Sequence, residues 1–296
     1  MSPSAVILVL ISASIHVGWN YLTKSSKSPR SFTVLKGLSA VTLFMMLAPF
    51  MPFASISPRV WLYVLLSGVV HAVYFFALTS AYETGDISFV YPIARSAPAF
   101  VPIAAFLILD ERLSLRGGFG IALVVLCILI LQLRGAGLKK FASSFGQKDS
   151  IWAFITLGAV VSYTLIDKAA MVAFSREGAI VAGLHGPIYY LLQITLCYIL
   201  FSLCSLHSIH EHFKTVCKQE WRQALAAEIG TLISYSLILH VMQTETVSYI
   251  VTLRQSSVLF AVLVGWLVLK EAYGRFRVLV AAVMVGGFYL VATAHG

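Results

Sequence analysis

Charged residues are scarce in this sequence of 296 residues: Asp, Glu, Lys and Arg together make up 11% of it, against about a quarter in soluble domains. Hydrophobic residues make up 59%, and the mean hydropathy is +0.89. Because so few charges cannot cover the surface of a soluble particle of this size, a lipid bilayer must cover the apolar side chains. We therefore predict an all-α integral membrane protein, and a soluble enzyme is excluded.

Metal, nucleotide and nucleic-acid signals are also missing. The four cysteines have no CxxC spacing, which argues against a disulfide framework and a zinc site. No GxxxxGK[ST] phosphate loop is present, so transport driven by ATP hydrolysis within this chain is not expected. The net charge of +9 does not indicate nucleic-acid binding, because Lys and Arg stand in short clusters between apolar runs. We predict no metal, no cofactor and no nucleic-acid partner.

What the sequence has in abundance is long apolar runs. A helix needs about 20 mainly apolar residues to cross the hydrocarbon core. The first run continues through Trp19 and Asn20 without a cleavage site, so it is expected to be an uncleaved transmembrane helix. The ten runs are residues 3–24, 31–53, 58–82, 86–108, 116–134, 151–173, 178–205, 221–242, 246–269 and 277–294.

The chain contains an internal repeat. A displacement of 160 residues pairs Ser96 with Ser256 and Glu111 with Glu271, and one of 144 residues pairs WNYLTK with YTLIDK. Chance identity between apolar helices is the competing explanation, against which the matched end motifs DER and KEA weigh. An odd number of helices in each half inverts the second half in the membrane. We therefore predict ten transmembrane helices as two inverted five-helix repeats, at 1–143 and 150–296.

Basic residues indicate the orientation. Lys and Arg are concentrated in the segments that follow odd-numbered runs, with Lys24, Lys36 and Lys148 among them. The positive-inside rule then places both termini outside the cytoplasm. We expect a multi-pass protein of the bacterial inner membrane that is a monomer or a homodimer.

Two arginines lie at membrane depth. Arg95 is near the middle of the fourth run, and Arg254 with Gln255 is at a similar depth in the ninth. A charge at the centre of a membrane helix costs about 3 kcal/mol, so such residues usually face a cavity or a partner. A guanidinium offers a fork that matches carboxylate, phosphate or phosphonate, which favours an anionic ligand. The alternative is that each arginine pairs with an internal acid or with helix-end carbonyl groups.

Other polar residues are embedded in the runs. Glu228 is the obvious internal partner for an arginine, and it is also a candidate for proton coupling. His16, His71 and His185 lie deep, where a histidine is either a pocket residue, a proton carrier or a packing residue. We take Glu228 and His185 as the proton-coupling candidates.

Several aromatic residues share helical stripes with these polar groups. They are expected to line a pocket by stacking or by hydroxyl donation, and packing alone is the alternative for each one singly. Faces of this kind also suit a cationic amine if the substrate is zwitterionic. The tyrosines in question are Tyr74, Tyr91, Tyr163, Tyr189 and Tyr235.

The repeats and the acid-containing turns LDERLS and LKEAYG resemble those of EamA-type transporters of the drug/metabolite transporter superfamily, over essentially the whole chain. HVGWNYLTK and AYETGDISFVYPIARSAPAFVPIAAFLILDERLS are similar to a bacterial branch named for phosphonate utilisation. The resemblance implies a central cavity, alternating access and cytoplasmic termini, the last against the charge count. The pocket residues that it implies are His16, Trp19, Asn20, His71, Tyr74, Tyr91, Arg95, Tyr163, Glu228, Tyr235, Arg254 and Gln255.

The expected function is transport. We predict a secondary active or facilitative carrier of a small anionic or zwitterionic metabolite, coupled to protons or to exchange. The alternative is a flippase or scramblase for a phosphate-bearing lipid, with the arginines following the phosphate. A membrane enzyme is disfavoured, because no spacing of nucleophile, base and acid is present.

Overall fold

The structure is a computed structural model that describes residues 1–84, 93, 96–136, 151–177, 180–205, 210–259 and 274–294. Over these ranges it contains helices and no strand, with two short 3₁₀ helices at Ala48–Phe50 and Phe53–Ser55. The α-helices of the described ranges are α1 (Pro3–Ser25), α2 (Pro29–Leu47), α3 (Pro58–Thr84), α4 (Ala97–Leu109), α5 (Leu115–Ala136), α6 (Ile151–Arg176), α7 (Ala182–Ser205), α8 (His210–Met242), α9 (Val247–Arg254) and α10 (Gly274–Ala292).

A Ser-Pro pair begins each of the first three helices. The hydroxyls of Ser2, Ser28 and Ser57 accept hydrogen bonds from the backbone N–H three residues further on, at 3.3, 3.4 and 3.3 Å. Each serine satisfies a donor that the first helical turn leaves unpaired, and proline at the first helical position gives up no intrahelical bond. This local chemistry explains why the three helices begin where they do.

Six helices are long and apolar enough to cross a membrane by length and composition: α1, α2, α3, α6, α7 and α8. Shorter apolar helices lie at Ala97–Leu109, Leu115–Leu131 and Phe276–Ala292. Each predicted apolar run overlaps one of the observed α-helices. The chain is a multi-pass membrane protein.

One predicted loop is wrong. The segment 206–220 was expected to connect two helices, whereas α8 already begins at His210. The reason is packing, because Val216 on this early part of α8 joins Phe32 and Ala224 in a small apolar cluster. The polar residues between, Lys218 and Gln219, face outward.

The helices pack in pairs that recur between the two halves of the chain. α3 packs on α6 as α1 packs on α8, and α3 packs on α7 as α2 packs on α8. In the same way, α4 contacts α6 as α1 contacts α9. Three further contacts join equivalent helices of the two halves, namely α5 with α10, α2 with α7 and α4 with α9. Exchanging the first five helices for the last five therefore reproduces the principal contacts.

The described ends of the chain meet at one side of the bundle. The amino group of Met1 donates to the carbonyl oxygens of Ala292 at 3.3 Å and of Ala294 at 2.9 Å. We call this side the terminal face. At the opposite face, Lys27 follows α1 and its backbone N–H donates to Glu220 of α8 at 3.3 Å.

Three-residue backbone bonds lie at equivalent places in the two halves. The backbone N–H of Ser256 bonds to the carbonyl of Leu253 at 3.0 Å, and that of Ser96 bonds to Ile93 at 3.0 Å. These bonds have 3₁₀ geometry, and they lie just after the end of α9 and just before the start of α4.

Glycine brings α5 and α10 into close contact. A Cβ at Gly287 would lie 3.1 Å from the carbonyl oxygen of Gly120, and one at Gly120 would lie 2.9 Å from that of Gly287. The neighbouring Gly118 and Gly286 have open space around them. Close backbone approach at small residues is a usual way for membrane helices to pack.

Candidate functional site

Two fully buried acids lie in the middle of the helix bundle. Asp167 is on α6 and Glu228 is on α8, and both have 0% exposure. Asp167 accepts hydrogen bonds from three hydroxyls: Ser67 at 2.5 Å, Tyr189 at 2.9 Å and Tyr235 at 2.5 Å. Hydrogen bonds to a charged acceptor are about twice as strong as neutral ones, so these three hydroxyl donors favour a carboxylate at this position.

Glu228 has a different set of partners. Its carboxylate accepts hydrogen bonds from Tyr190 at 2.8 Å and from Tyr198 at 3.2 Å. It also lies 3.9 Å from the ammonium group of Lys36. A buried acid that pairs with a buried base keeps both charged at a lower cost than either one alone.

Lys36 corrects two expectations. It was counted among the topology-setting charges between runs, yet it is on α2 with 1% exposure. It also takes the place at Glu228 that was expected for an arginine. Its ammonium donates to Thr231 at 3.1 Å and lies 4.4 Å from the ring of Trp19, so a cation–π contact completes its surroundings.

Consecutive tyrosines of α7 connect the two acids. Tyr189 donates to Asp167, and Tyr190 donates to Glu228. The ring of Tyr190 lies 5.9 Å from the ring of Tyr235, which also donates to Asp167. The acids therefore belong to one polar network inside the bundle.

Aromatic rings form one wall of the site. The ring of His71 stacks on Tyr163 at 3.9 Å and meets the edge of Tyr235 at 5.8 Å. Tyr74 meets Tyr163 at 5.6 Å. The Nδ1 atom of His71 lies 3.0 Å from the carbonyl oxygen of Ser67, which fixes the plane of the ring.

Arg254 ends α9 beside this wall. One of its terminal nitrogens lies 3.2 Å from Nδ1 of His16, and the guanidinium carbon lies 5.5 Å from the centre of the Tyr235 ring. Since arginine is always a donor, Nδ1 of His16 is the acceptor in this hydrogen bond. The ring of His16 in turn meets Trp19 edge-on at 4.7 Å.

The central residues differ in accessibility. Asp167, Glu228 and Lys36 are fully buried, whereas Arg254 is partly exposed. The other partly exposed members of the site in the described ranges are aromatic or neutral polar, namely His16, Trp19, Asn20, Tyr74, Tyr163 and Gln255. The accessible part of the described site is therefore cationic and aromatic.

Most of the predicted pocket residues come together. His16, Trp19, His71, Tyr74, Tyr163, Glu228, Tyr235 and Arg254 are joined by the contacts above. Asn20 donates to the carbonyl of His16 in its own helix at 2.9 Å. Gln255 adjoins Arg254 at the end of α9. Arg95 and Tyr91 lie outside the described residues.

His185 stands apart from this group. It is on the first turn of α7, where its ring stacks on Phe174 at 4.5 Å and Nδ1 lies 3.0 Å from the side-chain oxygen of Gln243. The structure therefore does not bring His185 together with His16 and His71. His185 as a proton-coupling residue stays a prediction.

Sequence reasoning missed several members of the network. Asp167 was not among the candidate residues, and Lys36 was taken as a charge between runs. Lys36 is a single charge and Asp167 adjoins Lys168, and both lie several residues inside an apolar run. That position in the run is the sequence feature that could have identified them. Ser67, Tyr190 and Tyr198 gave no signal of their own, because a hydroxyl on a membrane helix is common.

A second cavity lies outside this network. A groove of about 710 Å³ runs between α3, α4 and α6. Its walls are mainly apolar and include Ile108, which is 69% exposed. The charged residues along it include Arg59 and Arg176, both exposed.

Comparison with known proteins identifies the family. The model of the EamA-like transporter family matches the chain twice, at residues 3–133 and 150–293. The chain belongs to the EamA-like transporter family. Members of this family are membrane transporters of small molecules and not enzymes, and the long apolar helices of this chain agree with that.

A solved crystal structure extends the comparison to three dimensions. It has 17% sequence identity to this family member and a TM-score of 0.71, and the match covers 99% of this chain and 97% of the other. At that identity the likeness concerns the fold. None of the curated proteins compared with the chain matches it.

Proposed function

We propose that this chain is a secondary active or facilitative carrier that moves a small anionic or zwitterionic metabolite by alternating access. The observation that carries the proposal is the environment of Arg254. Its described partners are His16 and the ring of Tyr235, and it forms no ion pair within the described part of the chain. Both buried acids of the site have other partners.

Arg254 is suited to an incoming anion. Its Nε atom is buried and has no hydrogen-bond partner among the described residues, which is a costly state for a charged donor. A carboxylate, phosphate or phosphonate would accept from the guanidinium fork in bidentate fashion. The resemblance to the branch named for phosphonate utilisation makes phosphonates the first class to test.

The aromatic wall suits the rest of the substrate. Trp19, Tyr163 and Tyr235 offer ring faces and edges beside Arg254, which pack against a carbon skeleton. In a zwitterion, the same faces would attract an ammonium group. Selection would then come from one arginine for the anion and several rings for the remainder.

Alternating access requires two halves that rock. We infer two inverted five-helix repeats at 1–143 and 150–296, with ten transmembrane helices. The recurring helix pairs, the 3₁₀ bonds at Ser96 and Ser256 and the double family match support this. The 3₁₀ bond at Ser256 follows Arg254 closely, so a hinge there would change access to the bound anion. The expected location is the bacterial inner membrane.

A second candidate function is a flippase for a phosphate-bearing lipid. The groove between α3, α4 and α6 favours it, because an apolar groove with Arg59 and Arg176 suits an acyl chain and its headgroup. This groove does not include Arg254. Scrambling of a fluorescent phospholipid in proteoliposomes, lost in the Arg59→Ala/Arg176→Ala double variant, would favour the flippase over the carrier.

The test of the carrier is ligand-induced stabilisation. Purified protein is heated with methylphosphonate, phosphate, carboxylates, amino acids or quaternary amines, since a ligand of the native state raises the melting temperature. We expect stabilisation by at least one anion, lost in Arg254→Ala and kept in Arg222→Ala, an exposed arginine of α8. Equal stabilisation of all three proteins would refute the assignment of Arg254.

A further inference from the structure

We propose that Asp167 is the residue that binds and releases the transported proton, and that Tyr235 couples its protonation to substrate at Arg254. This rests on the proposed carrier function and deepens it. It differs from the expectation from sequence, which named Glu228 and His185 for this task.

The shell of Asp167 can serve both protonation states. Its three partners are hydroxyls, and a hydroxyl both donates and accepts. An ionised Asp167 accepts from all three. When a proton binds to one carboxylate oxygen, the new O–H donates to a hydroxyl that rotates to accept it, without movement of the helices. The site is therefore built for a carboxyl group that changes charge.

Glu228 lacks this freedom. Its partners include the ammonium of Lys36 at 3.9 Å, and Lys36 is as deeply buried as Glu228. A proton on Glu228 would leave that ammonium as an uncompensated charge in the bundle, which is strongly unfavourable. Lys36 therefore disfavours a proton on Glu228 alone, whereas the described partners of the Asp167 carboxyl are neutral hydroxyls that a bound proton would not leave unpaired.

Tyr235 provides the connection to the substrate. Its hydroxyl donates to Asp167, and its ring faces the guanidinium of Arg254 at 5.5 Å. An anion bound at Arg254 would add negative charge beside the Tyr235 ring, whose hydroxyl donates to Asp167. Since like charges repel, the occupied site favours the protonated form of Asp167. Substrate and proton would then bind and leave together.

The surroundings of Asp167 contain few other charges. Lys168, its neighbour in the chain, turns its ammonium to the carbonyl oxygens of Met242 and Glu245, at 2.8 Å each. The described part of α4 contributes no titratable group. Within the described residues, the titratable or charged groups around Asp167 are Tyr163 and Lys168 on α6, Tyr63 and His71 on α3, Tyr189 on α7, Tyr235 on α8 and Arg254 on α9.

Infrared difference spectroscopy tests the proton site without knowledge of the substrate. The full-length protein in lipid is titrated between acidic and alkaline buffer, and the carbonyl band of a protonated carboxyl is followed. We expect a band that shifts on labelling with [4-¹³C]aspartate, disappears in Asp167→Asn and persists in Glu228→Gln. The chain has four aspartates, and the label identifies an aspartate band even if Asp167→Asn fails to fold.

The opposite results are equally clear. The assignment would be overturned if the carbonyl band does not shift on aspartate labelling or if Glu228→Gln removes it. The absence of any such band would overturn it too. Coupling is tested by adding methylphosphonate at fixed pH. We expect a rise in the Asp167 band in the wild type and at least a threefold smaller rise in Tyr235→Phe, which keeps the ring and loses the hydroxyl.

Failure of this inference is distinguishable from failure of the carrier. Loss of anion stabilisation in Arg254→Ala concerns the substrate site alone, and the pH titration of the band needs no substrate. If methylphosphonate binds yet leaves the band unchanged, the link through Tyr235 is wrong.

Discussion

Tyr189 and Tyr190 are neighbours in the chain, yet their hydroxyls reach two different buried acids. Tyr189 donates to Asp167 of α6, and Tyr190 donates to Glu228 of α8. Adjacent residues on a helix point about 100° apart, so a single turn of α7 serves both neighbours. α7 therefore couples the two acids mechanically, and a movement of α7 alters both hydrogen bonds.

The Lys36–Glu228 pair gives the first prediction. Lys36→Met removes the ammonium and leaves Glu228 buried without a cation, which is expected to lower the free energy of unfolding by about 3 kcal/mol or more. Adding Glu228→Gln should restore much of that loss, because the buried charge is gone. Thermal melting of the two variants in detergent checks this. If Lys36→Met alone is as stable as the wild type, Lys36 and Glu228 do not form an ion pair in the folded protein.

The α5–α10 contact gives the second prediction. Gly287→Val is expected to lower the melting temperature by several degrees, because its side chain would meet the backbone of Gly120. Gly286→Val is the matched control, since it adds the same atoms one residue away in open space. Equal melting temperatures for the two variants would contradict close packing at Gly287.

The arrangement of helices was accessible from sequence for a physical reason. Apolar runs of about 20 residues are long enough to span a bilayer, so length alone locates them. The start of α8 was missed because its first turns are polar on one side, and packing against other helices, such as that of Val216 on Phe32, stabilises the other side. Such a contact depends on tertiary packing.

The site was accessible only in part. Arg254 and Glu228 could be found because a single charge inside an apolar run is conspicuous. Lys36 was misplaced, because a charge near the end of a run resembles a topology signal, and Asp167 was not among the candidates. Whether such a group turns inward depends on its neighbours, here Trp19 for Lys36 and Ser67 for Asp167.

Glu111 gives the third prediction. It follows α4, and its carboxylate accepts from the backbone N–H of Val247 at 2.7 Å and from the hydroxyl of Ser248 at 3.1 Å, at the start of α9. A carboxylate there caps the helix and suits its dipole, so Glu111→Ala should cost about 1 kcal/mol. Asp110→Asn is the control, since Asp110 is exposed and asparagine tolerates its φ of 51°.

Melting curves compare the two variants. We expect Asp110→Asn to melt with the wild type and Glu111→Ala to melt below it. An equal fall in melting temperature in both variants would indicate that the substitutions disturb the turn itself and not the cap on α9.

Proton coupling gives the last prediction, which concerns transport. If Asp167 carries the proton, Asp167→Asn mimics its protonated form and cannot release a proton. Proteoliposomes loaded with the anion that stabilises the protein should then keep exchange of labelled for unlabelled substrate, because exchange needs no net proton movement. Accumulation driven by a pH gradient should fall at least tenfold.

Exchange and gradient-driven accumulation are measured on the same proteoliposomes, so a difference between them cannot come from the amount of folded protein. Tyr189→Phe is the control: it removes one of the three hydroxyls at Asp167 and leaves the carboxylate, so gradient-driven accumulation should persist at a reduced level. If Asp167→Asn keeps full accumulation, the proton binds elsewhere. A different result would be that Asp167→Asn loses both substrate exchange and gradient-driven accumulation while Tyr189→Phe keeps both. Asp167 would then have a structural role in the site and would not couple transport to protons.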